Sequence, residues 1–405
     1  MFDVEKIRAE FPILSREVYG KRLTYLDSGA TAQKPLCVVE KMSELLLNDN
    51  ANIHRGVHLL SEEMTARYEE AREVVRAFIG AAHREEVVFT SGATMSLNLV
   101  ASSWCEKNLN EGDNVVVSHI EHHSNIVPWQ LAAERKGAEL RVIPVADDGS
   151  LELDKLDDLI DERTKVVAIT QASNTLGTKP DLARIIAKAH SVGAVAVVDG
   201  CQGVVHGGVD VVALDCDFYA FSGHKLYGPT GIGVLYGKRE LLDVMPPYMG
   251  GGDMVDKVSF AKTTYAPVPL KFEAGTSNFI GAIGLAEAIK FLQSLPVDEV
   301  EQHEKALLDY ATEQLLQIEG LRIYGTTADK APIISFNVEG CDHYDIGMIL
   351  DKMGVAVRTG HHCAEPTMQH FGTNGVVRAS IALYNNKADI DALVKGVRRA
   401  VTMLK

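Results

Sequence analysis

Two stretches carry residue types that could do covalent chemistry. Ser222-Gly223-His224-Lys225-Leu226-Tyr227-Gly228-Pro229 follows an apolar run at 218–221 and breaks at once into Gly and Pro. Upstream, Val195-Ala196-Val197-Val198-Asp199 is apolar without alternation, the pattern of a buried parallel strand, and closes on a carboxylate. A lysine fixed between core strands, with a carboxylate at a neighbouring strand end, suits a Schiff base to pyridoxal phosphate. The Lys225 amine would hold the aldehyde, and Asp199 would keep the pyridine nitrogen protonated so that the ring acts as an electron sink. From these residues alone, a surface lysine and a helix-capping aspartate would read the same way.

The second stretch is Arg358-Thr359-Gly360-His361-His362-Cys363-Ala364-Glu365-Pro366. A cysteine beside two histidines in a Gly- and Pro-bounded loop is a candidate thiolate nucleophile. A zinc site on His361, His362 and Cys363 is the rival reading. Adjacent residues do not easily bind one ion together, and no CxxC or HExxH partner exists. Arg378, in an apolar strand further on, suits a bidentate clamp on a substrate carboxylate.

The elements that must position these groups follow from periodicity. Strands are expected at 87–90, 114–118, 139–145, 165–171 and 194–199, with helices at 127–136 and 182–192 between them. Strand–helix alternation predicts an α/β sheet of mainly parallel strands, whose ligands bind beyond the carboxyl ends. His122, Asn174 and Asp199 each fall at such an end. Ser91-Gly92-Ala93-Thr94, a small-residue turn before a helix, would bind a phosphate, with the Thr94 hydroxyl as a further donor. An imidazole at His122 could stack on the pyridine face and move protons. Gln202 and Asn174 can donate to the phenolate oxygen, and Ser222 and His224 can reach the phosphate. His54, in the polar loop 52–58, is a further candidate. Glu273-Ala274-Gly275-Thr276-Ser277-Asn278 is a second small-residue turn, before a helix expected at 279–293. From about residue 291 the texture changes to a smaller α+β unit, with a helix at 298–318, strands at 333–338 and 355–358, and a helix at 344–353.

The composition frames these readings. A net charge of −15 argues against general nucleic-acid binding. No apolar run approaches the roughly 20 residues of a membrane helix, and the N-terminal residues lack signal-peptide character. Six scattered cysteines without a CxxC pair predict reduced thiols in the cytoplasm.

The chain resembles the fold-type I, class V aminotransferase-like enzymes, and among them the cysteine desulfurases of the SufS group, from about residue 5 to the end. The resemblance rests on 25–28, 54–58, Glu121-His122-His123, 198–202, 222–231 and the 358–364 loop. The lysine motif is shared by several class V branches, whereas the cysteine loop separates this group from desulfurases with a longer, Ser-rich loop. The departures, at 28–31 and at Gly252-Asp253-Met254, touch no proposed catalytic residue. The resemblance implies a large domain (25–290) with a mainly parallel, seven-stranded-type sheet, and a small α+β domain (1–24 and 291–405) carrying the cysteine loop. It implies a homodimer in which Thr276 reaches the other subunit's phosphate. The expected substrate is L-cysteine, held by Arg378, Asn174, Arg358 and His54. Lys225 and His122 would move protons, and a Cys363 persulfide would pass to an acceptor of the SufE or SufU type for iron–sulfur cluster assembly. Selenocysteine lyase, acting on L-selenocysteine, and class V aminotransferase are the alternatives. A non-enzymatic or metal-binding protein would be colourless.

Overall fold

The computed structural model describes residues 2–405. Its larger sheet has seven strands: β1 (Val87–Thr90), β2 (Asn114–Ser118), β3 (Glu139–Ile143), β4 (Thr164–Thr170), β5 (Val195–Asp199), β6 (Phe218–Ser222) and β7 (Gly233–Gly237). They lie in the order β1-β7-β6-β5-β4-β2-β3. The run from β3 through β2, β4 and β5 to β6 is parallel, and β7 is antiparallel to both β6 and β1. Strands β2, β5, β6 and β7 are buried at every position, because helices cover both faces and no side chain points to water.

Alternate residues feed opposite cores. Val116, Val167, Val198 and Tyr219 pack with the helices α1 (Leu59–Phe78), α4 (Leu182–Ser191) and α5 (Phe279–Gln293). Val115, Val166, Val197 and Phe218 pack under α2 (Ala93–Asn108) and α3 (Val127–Lys136). Helix α4 shows the local logic. The Asp181 side chain caps the Arg184 N–H, and Leu182, Ile185, Ile186 and Ala189 form the buried stripe.

The smaller sheet is antiparallel, ordered β8-β9-β11-β10, from β8 (Leu321–Tyr324), β9 (Ile333–Val338), β10 (Arg358–Gly360) and β11 (Val376–Ser380). Helices α6 (Val297–Leu316), α7 (His343–Lys352) and α8 (Lys387–Leu404) close its core around Phe336, Ile346 and Leu393. The single strand expected at 355–358 is instead two. Val355–Ala356 pairs in parallel with Thr24–Tyr25, whereas Arg358–Gly360 pairs with β11, so the chain changes partner at Val357. A hairpin, Val255–Val258 with Thr263–Tyr265, was not foreseen; its polar strands carry no buried pattern, and Phe260 at its tip is exposed. No single helix among the described residues is long and apolar enough to cross a membrane.

Candidate active site

Parallel strands end at one edge of a sheet, and there the sequence candidates meet. Because β7 runs antiparallel between β6 and β1, its first residue, Gly233, faces both Ser222 and Thr90. This brings the N-terminus of α2 beside the lysine turn. The Ser222 hydroxyl accepts the Ala93 N–H at 2.9 Å. Gly92, at φ +150°, is in a region closed to other residues, and a Cβ on Gly233 would lie 2.4 Å from the Gly92 Cα. Two glycines therefore allow the contact, and after Ala93 the next first-turn N–H groups of α2, those of Thr94 and Met95, are left to face an anion. Thr94 stands exposed in that turn.

Lys225 closes a 3₁₀ turn directly after β6 and is half-buried. The His224 carbonyl, one peptide away, takes three donors: Ala32 N–H at 3.1 Å, Thr31 Oγ1 at 3.3 Å and Lys34 Nζ at 2.8 Å. The His224 ring is held at about 4 by burial and by the Lys225 charge. Lys34 escaped the sequence reading. Its ammonium also donates to the Ala32 carbonyl, and burial lowers it to about 8.

Asp199 is buried at the end of β5, where its Oδ1 accepts the Cys201 N–H at 3.0 Å. His122 follows β2. Its Nδ1 accepts the Ser124 N–H at 3.0 Å, while burial and then the Lys225 charge hold it at about 4. The ring is therefore neutral at pH 7 with its proton on Nε2. Behind it lies Glu121, to which the sequence reading assigns no role of its own, wholly buried and accepting from Ser118 Oγ, Asn125 Nδ2 and the Thr170 N–H. Burial raises that carboxyl to about 8 against the pull of its donors. Gln202 spends one amide hydrogen on the Gly29 carbonyl at 2.8 Å.

The cysteine loop arrives from the smaller sheet. Gly360, His362 and Cys363 all have positive φ, +111°, +53° and +55°, a conformation that costs the two non-glycine residues of order 1 kcal/mol each. The surroundings hold it in place. The Cys363 carbonyl accepts the His123 N–H at 2.7 Å, the Glu365 N–H donates to His123 Nε2 at 3.2 Å, and the Cys363 N–H donates to His361 Nδ1 at 3.1 Å. His123 and His361 stack with centroids 5.6 Å apart. Asn174 Nδ2 donates to the His362 carbonyl at 2.8 Å. His362 itself is buried, so the two loop histidines point apart, and no cluster of three metal-ligating side chains exists among the described residues. The Cys363 side chain is exposed.

Arg378, on β11, is 2% exposed. Its Nη1 donates to the Asn174 carbonyl at 2.9 Å and its Nη2 to Asp27 at 3.2 Å, while Nε has no partner. Arg358 is exposed and reaches the same aspartate at 3.3 Å. Asp27 belongs to the 25–28 segment of the resemblance, and the sequence reading assigns it no role of its own. His54 and Thr276 lie exposed on loops; the His54 ring meets Tyr68 edge-on at 5.7 Å. The turn bearing Thr276 is anchored by Glu273, whose carboxylate takes Arg72 at 2.6 Å, Tyr68 Oη at 2.8 Å and the Phe89 N–H at 2.8 Å.

This donor set fits pyridoxal phosphate. N–H groups at the start of α2 lie beside Ser222, the buried Asp199 carboxylate and Lys225 both act on the His122 ring, and Arg378 Nε is a buried donor still without a partner. Comparison with known proteins agrees. Residues 24–393 match the family described as aminotransferase class-V. A cysteine desulfurase of Enterobacter sp. (strain 638) is 51% identical over 399 residues, covering 98% of each chain. One from Pectobacterium carotovorum subsp. carotovorum (strain PC1) is 48% identical over 404 residues, covering 100% of this chain and 99% of the relative. Among solved structures, the cysteine desulfurase CsdA from Escherichia coli superposes with a TM-score of 0.93 at 43% identity, over 100% of both chains. That of Thermococcus onnurineus NA1 gives 0.94 at 39% identity, over 99% of this chain and 98% of the other. With the seven-stranded α/β sheet and the lysine turn at its carboxyl edge, these likenesses place the chain in the class-V aminotransferase family and, within it, among the cysteine desulfurases.

Proposed function

We propose that this protein uses pyridoxal phosphate to convert L-cysteine to L-alanine, leaving the sulfur as a persulfide on Cys363. The observation that carries the reading is the exposed Cys363 thiol on a strained loop, hydrogen-bonded onto the turn that bears His122.

Bound cofactor would supply an electron sink for bonds at the substrate α-carbon. Asp199 would hold the proton on the pyridine nitrogen. The α2 N-terminus, Thr94, Ser222 and His224 would hold the phosphate, with Thr276 contributed by a second copy in a homodimer. Gln202 and Asn174 would serve the phenolate side. Arg378, aided by Arg358 and His54, would bind the substrate carboxylate, and the idle Arg378 Nε–H supports that role. Lys225 would take the α-proton and return it. His122, carrying its proton on Nε2, would stack on the ring and donate. The Cys363 thiolate would attack the substrate sulfur: the S–S bond forms, the Cβ–S bond breaks, and its electron pair passes to the carbon skeleton, which takes up protons to become alanine.

The persulfide would pass to an acceptor protein of the SufE or SufU type, supplying iron–sulfur cluster assembly in the cytoplasm. We divide the chain into a large domain (25–290) and a small one (1–24 and 291–405). Arg8 and Arg22 on Asp389, at 2.8 and 3.0 Å, tie the N-terminal segment to the latter.

The test is alanine released from L-cysteine under reductant by holoenzyme, wild type against Cys363→Ala. The variant should stay yellow and lose at least about 100-fold in rate. Equal rates would remove Cys363 as acceptor and favour selenocysteine lyase. A yellow but inert wild type would point to L-selenocysteine, and then to amino-group transfer.

A further inference from the structure

Asp27 stands between two guanidinium groups. Its Oδ1 accepts from Arg378 Nη2 at 3.2 Å and its Oδ2 from Arg358 Nε at 3.3 Å. The backbone fixes its place: Asp27 bridges Ser380 of β11, the Ser380 N–H donates to the Leu26 carbonyl at 2.8 Å, and the Gly29 N–H donates to Ser380 Oγ at 2.8 Å. These contacts fix the Asp27 backbone beside β11, and the two arginines hold its carboxylate.

Two ionisable neighbours of this cluster add no charge at neutral pH. Burial, then Asp27, pushes the Tyr25 phenol up to about 12. Burial, then the Arg378 charge, pushes His362 down to about 2. Two arginines and one aspartate leave one net positive charge. Arg378 keeps a buried, unpartnered Nε–H, and Asn174 beside it an unpartnered Oδ1. An idle buried donor beside a surplus of one charge is what a single carboxylate would complete.

We infer that Asp27 is a specificity-determining residue: by cancelling one of the two arginine charges it matches the subsite to amino acids with one carboxylate and discriminates against those with two. The inference rests on the reading of Arg378 and Arg358 as the carboxylate clamp. Asp27→Asn leaves the subsite one charge more positive. A second ligand carboxylate some 8 Å away then gains about fivefold in affinity relative to a monocarboxylate, for an effective dielectric between surface and bulk values.

The experiment titrates holoenzyme with L-alanine and with L-aspartate, reading each Kd from the visible absorbance of the bound cofactor. In Asp27→Asn the affinity ratio of aspartate to alanine should rise about fivefold, and Asp27→Glu should restore the wild-type ratio. Arg358→Gln, at an exposed position, should move the ratio the opposite way. Arg378→Gln should weaken both amino acids at least tenfold. If Arg378→Gln weakens both while neither Asp27→Asn nor Arg358→Gln moves the ratio, Asp27 has only a structural role and the inference falls while the clamp stands. If Arg378→Gln weakens neither, the clamp and the inference fall together.

Discussion

Acid should weaken this protein through one histidine of the cysteine loop. His362 is 8% exposed. Its Nε2–H donates to the Val376 carbonyl at 3.2 Å, and its Nδ1 is buried without a partner. A second proton on the ring would sit on Nδ1 with no acceptor, beside Arg378. Burial and that arginine accordingly lower the folded-state value from 6.5 to about 2. The sign follows from which state binds the proton. Above pH 6.5 neither state binds it and the contribution to stability is complete. As the pH falls, only the unfolded chain takes up the proton, so stability is lost progressively toward pH 2. At pH 5 the loss from this group is about 2 kcal/mol, or about 2–3 °C in Tm for a chain of this length. The assay is thermal unfolding of apoprotein at pH 7 and pH 5, wild type against His362→Asn. The wild type should drop by about 2–3 °C more than the variant between the two pH values, whatever the variant's stability at pH 7. Parallel drops would show that His362 is not buried neutral, and the packing described for the 361–363 loop would be wrong.

Two further outcomes test the scaffold. Glu273→Ala removes the carboxylate that takes Arg72 at 2.6 Å, with both side chains nearly inaccessible at 2% and 1%. Unfolding in denaturant should show a loss of about 3–5 kcal/mol, of which an Arg72→Met, Glu273→Leu double variant recovers only part, because the Phe89 N–H and Tyr68 hydroxyl still lack their acceptor. Gly233→Ala drives a Cβ to 2.4 Å from the Gly92 Cα, backbone against backbone. It should raise the dissociation constant for pyridoxal phosphate at least tenfold in a dialysis assay while circular dichroism stays native. Gly250→Ala, with nothing within 4 Å of the added methyl, should be silent.

The groups at the ends of single strands were legible because apolar runs broke off into polar residues. Asp199, Asn174, His122 and Lys225 each end such a run, and the common direction of parallel strands places them together. Cys363 stood out through the polarity of its loop. The residues that were missed share another feature: their meaning depends on partners far away in the chain. Asp27 reads as a strand end until β11 brings Arg378 to it, 351 residues on. Glu273 belongs to a loop until Arg72, 201 residues away, needs a carboxylate. Lys34 is an ordinary lysine until the His224 carbonyl is beside it. The 355–358 run shows the same limit, since a continuous β pattern cannot say that two sheets will share it.

By itself, then, the order of amino acids determined the α/β class, the sheet edge where the proposed ligand-binding groups gather, and the lysine, aspartate and cysteine proposed to do chemistry there. Burial periodicity and turn chemistry are local and need no partner. Only the tertiary structure decided which buried charge is cancelled by which, which two glycines let a helix end touch a strand, and which turn holds the cysteine loop. Those are pair interactions across hundreds of residues, and their energies exist only once the two sheets have brought the partners into contact.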